Sequence, residues 1–314
     1  QYRHEATQSD RVRGDDGATV GASRTRSSVE PYAQLTANLG RLSLVPGLRV
    51  TADRQWGTHW TPRVAALFRP VPSLALRASA GRGFRAPEFK ELSLWFPHVT
   101  SEFSYVVRGN PDLRPELSDN LSASAEWAGG RAYLRVDGFH NRFRDFIESQ
   151  VIGDTAVAGG GQSATYYTYA NVGRGVTRGV DVEGALRLRG LRAEAGYGWL
   201  DAYEAGTGLP LLGRPRPQGR VTLTTSTRRG LAASLGAVYT GRAAAARDAA
   251  GAVTERSGYL RLNARAAHTL PTLPRRLGGE WRIEAGANNL LDARPELWPG
   301  FAGRQVYLGL NWKR

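Results

Sequence analysis

Chemistry in a chain of 314 residues without cysteine has to come from histidine, serine, carboxylates and basic side chains. No thiol nucleophile, thiolate metal site or disulfide is available. The five histidines are His4, His59, His98, His140 and His268. Hydrolysis needs a nucleophile, a base and an orienting carboxylate brought together. None of the five stands in a G-x-S-x-G or H-E-x-x-H context. His98 with Glu102 offers two metal ligands, but an isolated pair reads as solvated surface. Gly159-Gly160-Gly161 lacks the strand and helix of a phosphate cradle and reads as loop. The sequence thus predicts no catalytic residue, no metal site, no cofactor and no enzyme.

Basic side chains are the remaining chemistry. Lys+Arg number 42 against 28 Asp+Glu, a formal +14, and apart from Lys90 and Lys313 every one is arginine. Such a surplus ordinarily suggests nucleic acid or another polyanion. Here the arginines form no blocks and line no helix; they alternate with apolar residues along the chain, which argues against nucleic acid. Apolar types make up 41% and charged types 22%, so the chain is not a disordered tail. Its longest apolar run, Val64 to Phe68, falls far short of the ~18 residues of a membrane helix. No basic-then-apolar leader opens it, and methionine is absent, so a processed chain or a piece of a longer one is expected.

The elements that position those arginines repeat every second residue. In the last segment Val306, Leu308, Leu310 and Trp312 share one parity, and Gln305, Tyr307, Gly309 and Asn311 the other. Successive strand side chains point to opposite faces, so one face is aliphatic and the other polar. The pattern recurs in 73–85, 120–127, 180–189, 259–269 and 281–291. It predicts about fourteen strands, each long enough for the ~9–11 residues that cross a bilayer. Their cores are 1–12, 29–40, 44–54, 58–69, 73–85, 116–128, 131–147, 166–188, 191–203, 216–226, 231–240, 259–269, 280–291 and 303–313. Long polar loops at 13–28, 86–115, 148–165, 204–215, 241–258 and 292–302 alternate with short turns, as expected of an outer-membrane barrel. After Asp137 the parity drifts, which predicts a bulge there. A soluble β-sandwich also alternates, but its strands average about 5–6 residues.

If the aliphatic parity faces lipid, the other lines the lumen. It carries Arg77, Asp181, Glu183, Arg261, Arg265, Arg282 and Glu284, among others of both signs. Two readings stay open for this face: a surface that holds a plug or guides a solute, and ion pairing that stiffens the wall.

Four segments in order resemble TonB-dependent outer-membrane receptors. Gly81-Arg82-Gly83-Phe84-Arg85-Ala86-Pro87 is similar to the point where a strand enters a long extracellular loop. Gly109-Asn110-Pro111-Asp112-Leu113-Arg114-Pro115-Glu116-Leu117-Ser118 resembles the return into the next strand. Asn171-Val172-Gly173 with Gly179-Val180-Asp181-Val182-Glu183 resembles a later strand. Asn288-Asn289-Leu290-Leu291-Asp292 and Gly303-Arg304-Gln305-Val306-Tyr307 resemble the last hairpin. The resemblance covers 81–314; residues 1–80 share only the strand pattern.

The resemblance implies an all-β fold: a transmembrane antiparallel up-and-down β-barrel, with about fourteen strands present of roughly twenty-two. Residues 1–314 would then be the C-terminal portion, with the plug domain and first strands outside this chain. It also implies active uptake across the bacterial outer membrane of a scarce metal chelate (ferric siderophore, haem or cobalamin). The implied partners are outer-membrane lipid and lipopolysaccharide, the plug and remaining strands, the chelate, and the TonB–ExbB–ExbD complex reached through the N-terminal part. In the loop 86–115, Trp95, Phe96, His98, Phe103 and Tyr105 would cover such a ligand, and Arg82, Arg85 and Arg108 would attract an anionic one. The alternative is a self-contained fourteen-stranded passive channel.

Overall fold

A computed structural model of the chain describes residues 2–13, 19–99, 104–156, 163–227, 230–247, 251–270, 280–295 and 303–313. β1 (Tyr2–Arg13) and β2 (Thr19–Val29) form a hairpin. β3 (Tyr32–Gln34) and β4 (Ala37–Leu39) continue the line of β2 along β5 (Leu42–Asp53). β6 (Gly57–Val71) and β7 (Leu74–Arg85) follow as a meander. The loop after β7 holds a short helix, α1 (Phe89–Ser93), and a hairpin of β8 (Trp95–Val99) and β9 (Ser104–Arg108). The wall then resumes with β10 (Glu116–Gly129), β11 (Ala132–Ala156), β12 (Ser163–Leu188), β13 (Leu191–Glu204), β14 (Pro217–Ser226) and β15 (Leu231–Thr240). A small separate hairpin, β16 (Ala243–Arg247) with β17 (Val253–Arg256), precedes β18 (Tyr259–Leu270), β19 (Glu280–Asn288) and β20 (Gln305–Lys313).

Among the described residues the strands of nine residues or more number fourteen, and their pairings with one another are all antiparallel within one sheet. No ladder among them joins β20 to the first strands. The aliphatic parity is exposed along this wall, with Trp60, Val64, Leu121, Val180 and Leu235 uncovered and Leu308 79% exposed. A water-soluble sandwich would bury these side chains against a second sheet; here they form the lipid-facing band of a barrel wall. Trp281 and Trp312 oppose each other near the short-turn rim, their rings 6.2 Å apart, as interfacial aromatics do.

Several segments expected as loop are strand. Residues 13–28 contain most of β2, and the strand expected at 29–40 is broken into the end of β2, β3 and β4. The 148–165 region is largely the outer extension of β11 and β12, which are 25 and 26 residues long. At about 3.3 Å per residue such strands run far past a bilayer, so their outer halves stand clear of it. Polar alternation in water carries no aliphatic stripe, which is why these extensions read as loop.

The bulge expected after Asp137 is absent, for β10 and β11 pair without a shift from Leu117↔Arg144 to Gly129↔Ala132. The irregularity lies farther out, between Val151 and Gly153. Parity drifts after Asp137 because the outward face changes composition, from Leu134 and Val136 to His140, Arg142 and Arg144.

Candidate functional site

The loop 86–115 is rooted in a cluster that draws together three of the four motif segments. Arg85 ends β7 directly opposite Glu116 at the start of β10. Its Nε and Nη2 donate to the Glu116 carboxylate at 2.6 and 2.7 Å, and its Nη1 donates to both oxygens of Glu91. Glu116 also accepts the backbone N–H of Ile147 at 2.7 Å. Glu91 accepts the backbone N–H of Glu88 at 2.7 Å, closing the first turn of α1. Two carboxylates on one guanidinium satisfy its planar donor fork.

The return segment locks onto the same root. The backbone N–H groups of Gly109 and Asn110 donate to the carbonyls of Leu94 and Glu91. A Cβ on Gly109 would fall 2.4 Å from the backbone nitrogen of Ser93, so the approach requires glycine there. Asn110 donates to the Tyr169 carbonyl, and its own oxygen accepts from Asp112 N–H in an Asx turn. Asn171 accepts the Arg114 N–H and donates to the carbonyls of Arg114 and Asp145. Leu92, Leu113 and Ile147 are buried together, with Trp56 and Tyr169 packed on them.

Beyond its root the loop crosses to β12. β9 pairs in parallel with Thr165–Thr168, the edge left free where β13 has ended. Trp95, Phe96, His98 and Tyr105 lie on this hairpin. His98 stacks on Tyr105 at 4.9 Å, Phe96 lies 6.3 Å from Tyr105, and Tyr105 meets Tyr167 edge-on at 6.2 Å. Trp95 approaches Tyr166 at 6.5 Å. By register these rings fall on the two faces of the hairpin: Phe96, His98 and Tyr105 with Tyr167 on one, and Trp95 with Tyr166 on the other. Arg108 is exposed at the end of β9. Phe103, Glu102 and the 159–161 glycines lie outside the described residues.

Below the loop root is a cavity of about 910 Å³. Six basic residues line it, namely Arg26, Arg49, Arg63, Arg82, Arg85 and Lys90, against Glu30 and Glu88. Tyr32, Trp56, Phe84 and Phe89 supply aromatic walls. Arg26 is held by Asp53 at 2.7 Å and Arg49 lies 3.8 Å from Glu30. Arg63 has no carboxylate within ion-pair distance among the described residues. Arg82 faces the aliphatic side by register and pairs with Asp119 at 2.8 Å; it borders the cavity where the β6–β7 ladder has ended. On α1 the Lys90 ammonium lies 2.9 Å from Glu88 and holds that carboxyl below its ordinary range, while Glu88 raises the lysine. Arg26, Arg49, Arg63, Trp56 and Lys90 lie outside the ligand candidates that the sequence motifs point to. Arg49 and Arg63 carried a signal in their polar parity; Arg26 and Trp56 lie where a loop or turn was expected.

Lower on the polar face, Arg77, Asp181, Glu183, Arg261, Arg265, Arg282 and Glu284 share one side of the sheet by register. Arg77 pairs with Glu126 at 3.0 Å, Glu183 with Arg220, and Arg265 with Glu284. Among the described residues no group of three or more His, Asp or Glu could hold a metal. The last hairpin is tied in the same fashion. Asn289, at φ 52°, is buried and exchanges hydrogen bonds with Ala293, and Asp292 accepts the Arg304 N–H at 2.7 Å. That bond, with Arg294 nearby, holds the Asp292 carboxyl below its ordinary range.

Residues 1–290 match the family described as TonB dependent receptor-like, beta-barrel. The iron-regulated outer membrane virulence protein of Vibrio cholerae is 32% identical over 102 residues, which is 32% of this chain and 15% of that protein. The ferric enterobactin receptor of Pseudomonas aeruginosa is 26% identical over 198 residues, 58% of this chain and 26% of the relative. A crystal structure of the latter superposes with a TM-score of 0.71 at 19% identity, covering 98% of this chain and 49% of that one. The siderophore receptor PirA of Acinetobacter baumannii gives 0.67 at 16% identity, covering 93% and 46%. The chain thus spans about half the length of the solved receptors it matches.

Proposed function

The chain belongs to the TonB-dependent receptor β-barrel family of outer-membrane proteins, and from that premise we propose that it is the C-terminal wall of a receptor taking up an anionic iron chelate. The supporting observation is the cavity of about 910 Å³ with six basic residues against two carboxylates and four aromatic walls. An arginine without a carboxylate partner in a partly enclosed site attracts an anion more strongly than one already paired. Arg63 is the principal proposed charge contact, with Arg49 and Lys90, already paired with Glu30 and Glu88, as secondary ones. Trp95, Phe96, His98 and Tyr105, with Arg108 at their edge, form the proposed outer lip. Arg85 is proposed as the bolt that positions the loop, because its donors are already engaged by Glu91 and Glu116. Relatives whose names mention ferric enterobactin and haemoglobin–haptoglobin make an iron-bearing cargo the reading of choice.

A plug domain, further strands and the TonB–ExbB–ExbD complex are the proposed partners. A sealed fourteen-strand channel is less well supported, since it would need a ladder from β20 to the first strands. The test is growth of a deletion strain on single iron sources, complemented by the full-length protein or by Arg63→Ala. Rescue by wild type on an anionic ferric chelate, weakened at least tenfold in ligand affinity by Arg63→Ala, supports the reading. Growth independent of the gene on every iron source overturns it.

A further inference from the structure

β11 and β12 climb together well beyond their neighbours. β10 pairs with β11 only as far as Leu117↔Arg144, whereas β12 accompanies it out to Ala156↔Ser163. From Ser149 to Ala156 the margin of β11 on the β10 side therefore has no ladder partner among the described residues. The other margin of the same ribbon is closed, because β9 adds to β12 in parallel over Thr165–Thr168. Ser149, Gln150, Val151, Ile152 and Gly153 are all exposed, Val151 at 59% and Ile152 at 56%. A free edge is ordinarily guarded by lysine, proline, charge or a bulge. These residues carry no charge and no proline, and their one guard is the bulge between Val151 and Gly153.

Strand geometry sets the height of this edge. Ser149 lies seventeen residues along β11 from Ala132. At about 3.3 Å per residue and a tilt of about 40°, that is about 43 Å along the membrane normal, against an apolar band about 25 Å tall. The edge thus stands in water on the long-loop side, which in outer-membrane barrels is extracellular. A row of backbone N–H and C=O groups is complemented by another extended polypeptide, and neither a chelate nor a lipid offers such a row. A second copy in the same membrane points its β11 the same way and would meet this edge across a two-fold axis along the strands. A parallel ladder needs slanted bonds, offset between its two strands, which that axis forbids.

We propose that the outer edge of β11 is a docking strand that takes one extended segment of an extracellular partner protein by strand addition. The guest's main chain bonds to the edge between Ser149 and Ala156, and its uncharged, apolar side chains pack beside Val151 and Ile152. On the other margin β9 is held by a ladder of the same kind, four residues long, so this ribbon already takes an added strand from within the chain. The bulge confines flat pairing to short runs on either side of Ile152, so the edge selects a segment of matching shape rather than any strand. The inference rests on the outer-membrane placement of the wall and not on the uptake reading.

The experiment uses the full-length protein in detergent. The probe is a short, end-capped peptide of alternating threonine and valine, with its backbone N-methylated counterpart as control. Hydrogen exchange should slow at the free amides between Ser149 and Ala156 with the first peptide and stay unchanged with the second. Neighbouring strand residues point their N–H groups to opposite margins, so Gln150→Pro and Val151→Pro, made separately, tell the two margins apart. One removes a donor from the free edge and leaves the β11–β12 ladder intact; the other breaks that ladder. The variant that keeps the ladder should bind the peptide about tenfold more weakly, as for one lost backbone hydrogen bond. Neither residue lines the basic cavity, so chelate uptake should be unchanged and the two readings fail separately. Absent slowing in wild type, equal slowing by the N-methylated peptide, or undiminished binding to the ladder-retaining variant overturns the proposal. So does slowing accompanied by faster exchange at Tyr105–Arg108, which would mean that the peptide displaces β9 from β12 instead. Should both prolines break the ladder, wild type with the two peptides decides alone.

Discussion

Replacing Glu116 with alanine should open the loop 86–115 without disturbing the wall beneath it. Glu116 is 12% exposed and accepts three hydrogen bonds, two from Arg85 and one from the Ile147 amide. Arg85 is 39% exposed, so water can replace much of what it loses, and its two contacts together contribute about 1–2 kcal/mol. Ile147 is buried, and leaving its N–H unpaired costs about 1–3 kcal/mol. A loss near 3 kcal/mol raises the population of the open loop about a hundredfold. Hydrogen exchange on the full-length protein should read this at Gly109 and Asn110, whose amides close the root on Leu94 and Glu91. Amides in β14 and β15 should not change. Glu88→Gln is the control, because Glu88 and Lys90 are 55% and 61% exposed and such pairs contribute less than about 1 kcal/mol. Unchanged protection at Gly109 in Glu116→Ala, or equal loss in the control, would refute the assignment of the Arg85–Glu116 pair as the bolt.

Other outcomes follow from the same geometry. Gly109→Ala forces a Cβ to within 2.4 Å of a backbone nitrogen and should destabilise the loop root by about 1–3 kcal/mol, seen as faster proteolysis of 86–115. Leu235→Arg places a cation on the lipid face and should lower folding stability in bilayers by about 2–4 kcal/mol, whereas Ser122→Lys on the opposite face should change it by less than about 1 kcal/mol; equal effects would contradict the facing. The Asp292 carboxyl is held low by the Arg304 amide, so its contribution to the last hairpin is present above the unfolded carboxylate range near 4. It should be lost as pH falls through the depressed folded value, and exchange at the Arg304 amide should speed up there; Asp292→Asn should abolish that pH dependence.

How much of this was written in the sequence depends on the medium around each segment. Where a strand crosses lipid, one face must be aliphatic, and the period-two stripe of Val306, Leu308, Leu310 and Trp312 discloses strand, facing and membrane together. The extensions of β11 and β12 stand in water on both faces, so Ser149 to Thr155 carries no stripe and strand there is decided by the neighbouring ladder. The parity drift after Asp137 is visible in the sequence, but its cause is not: the strand stays in register while its outward face changes from aliphatic to charged.

The motifs behave in the same way. Sequence by itself determined that Arg85, Gly109-Asn110-Pro111, Glu116 and Asn171 belong to one receptor family, and that prolines 87, 111 and 115 mark where pairing stops and resumes. Only the tertiary structure decided that these residues meet, with Glu116 serving Arg85 and Ile147 across three strands and Asn171 gripping Arg114 and Asp145. The facing of Arg82 and Arg63 follows their strand parity, and the ladders agree with it. Local alternation says which residues share a face; how far a loop travels before it binds another strand depends on contacts between residues distant in the chain, and no local pattern encodes those.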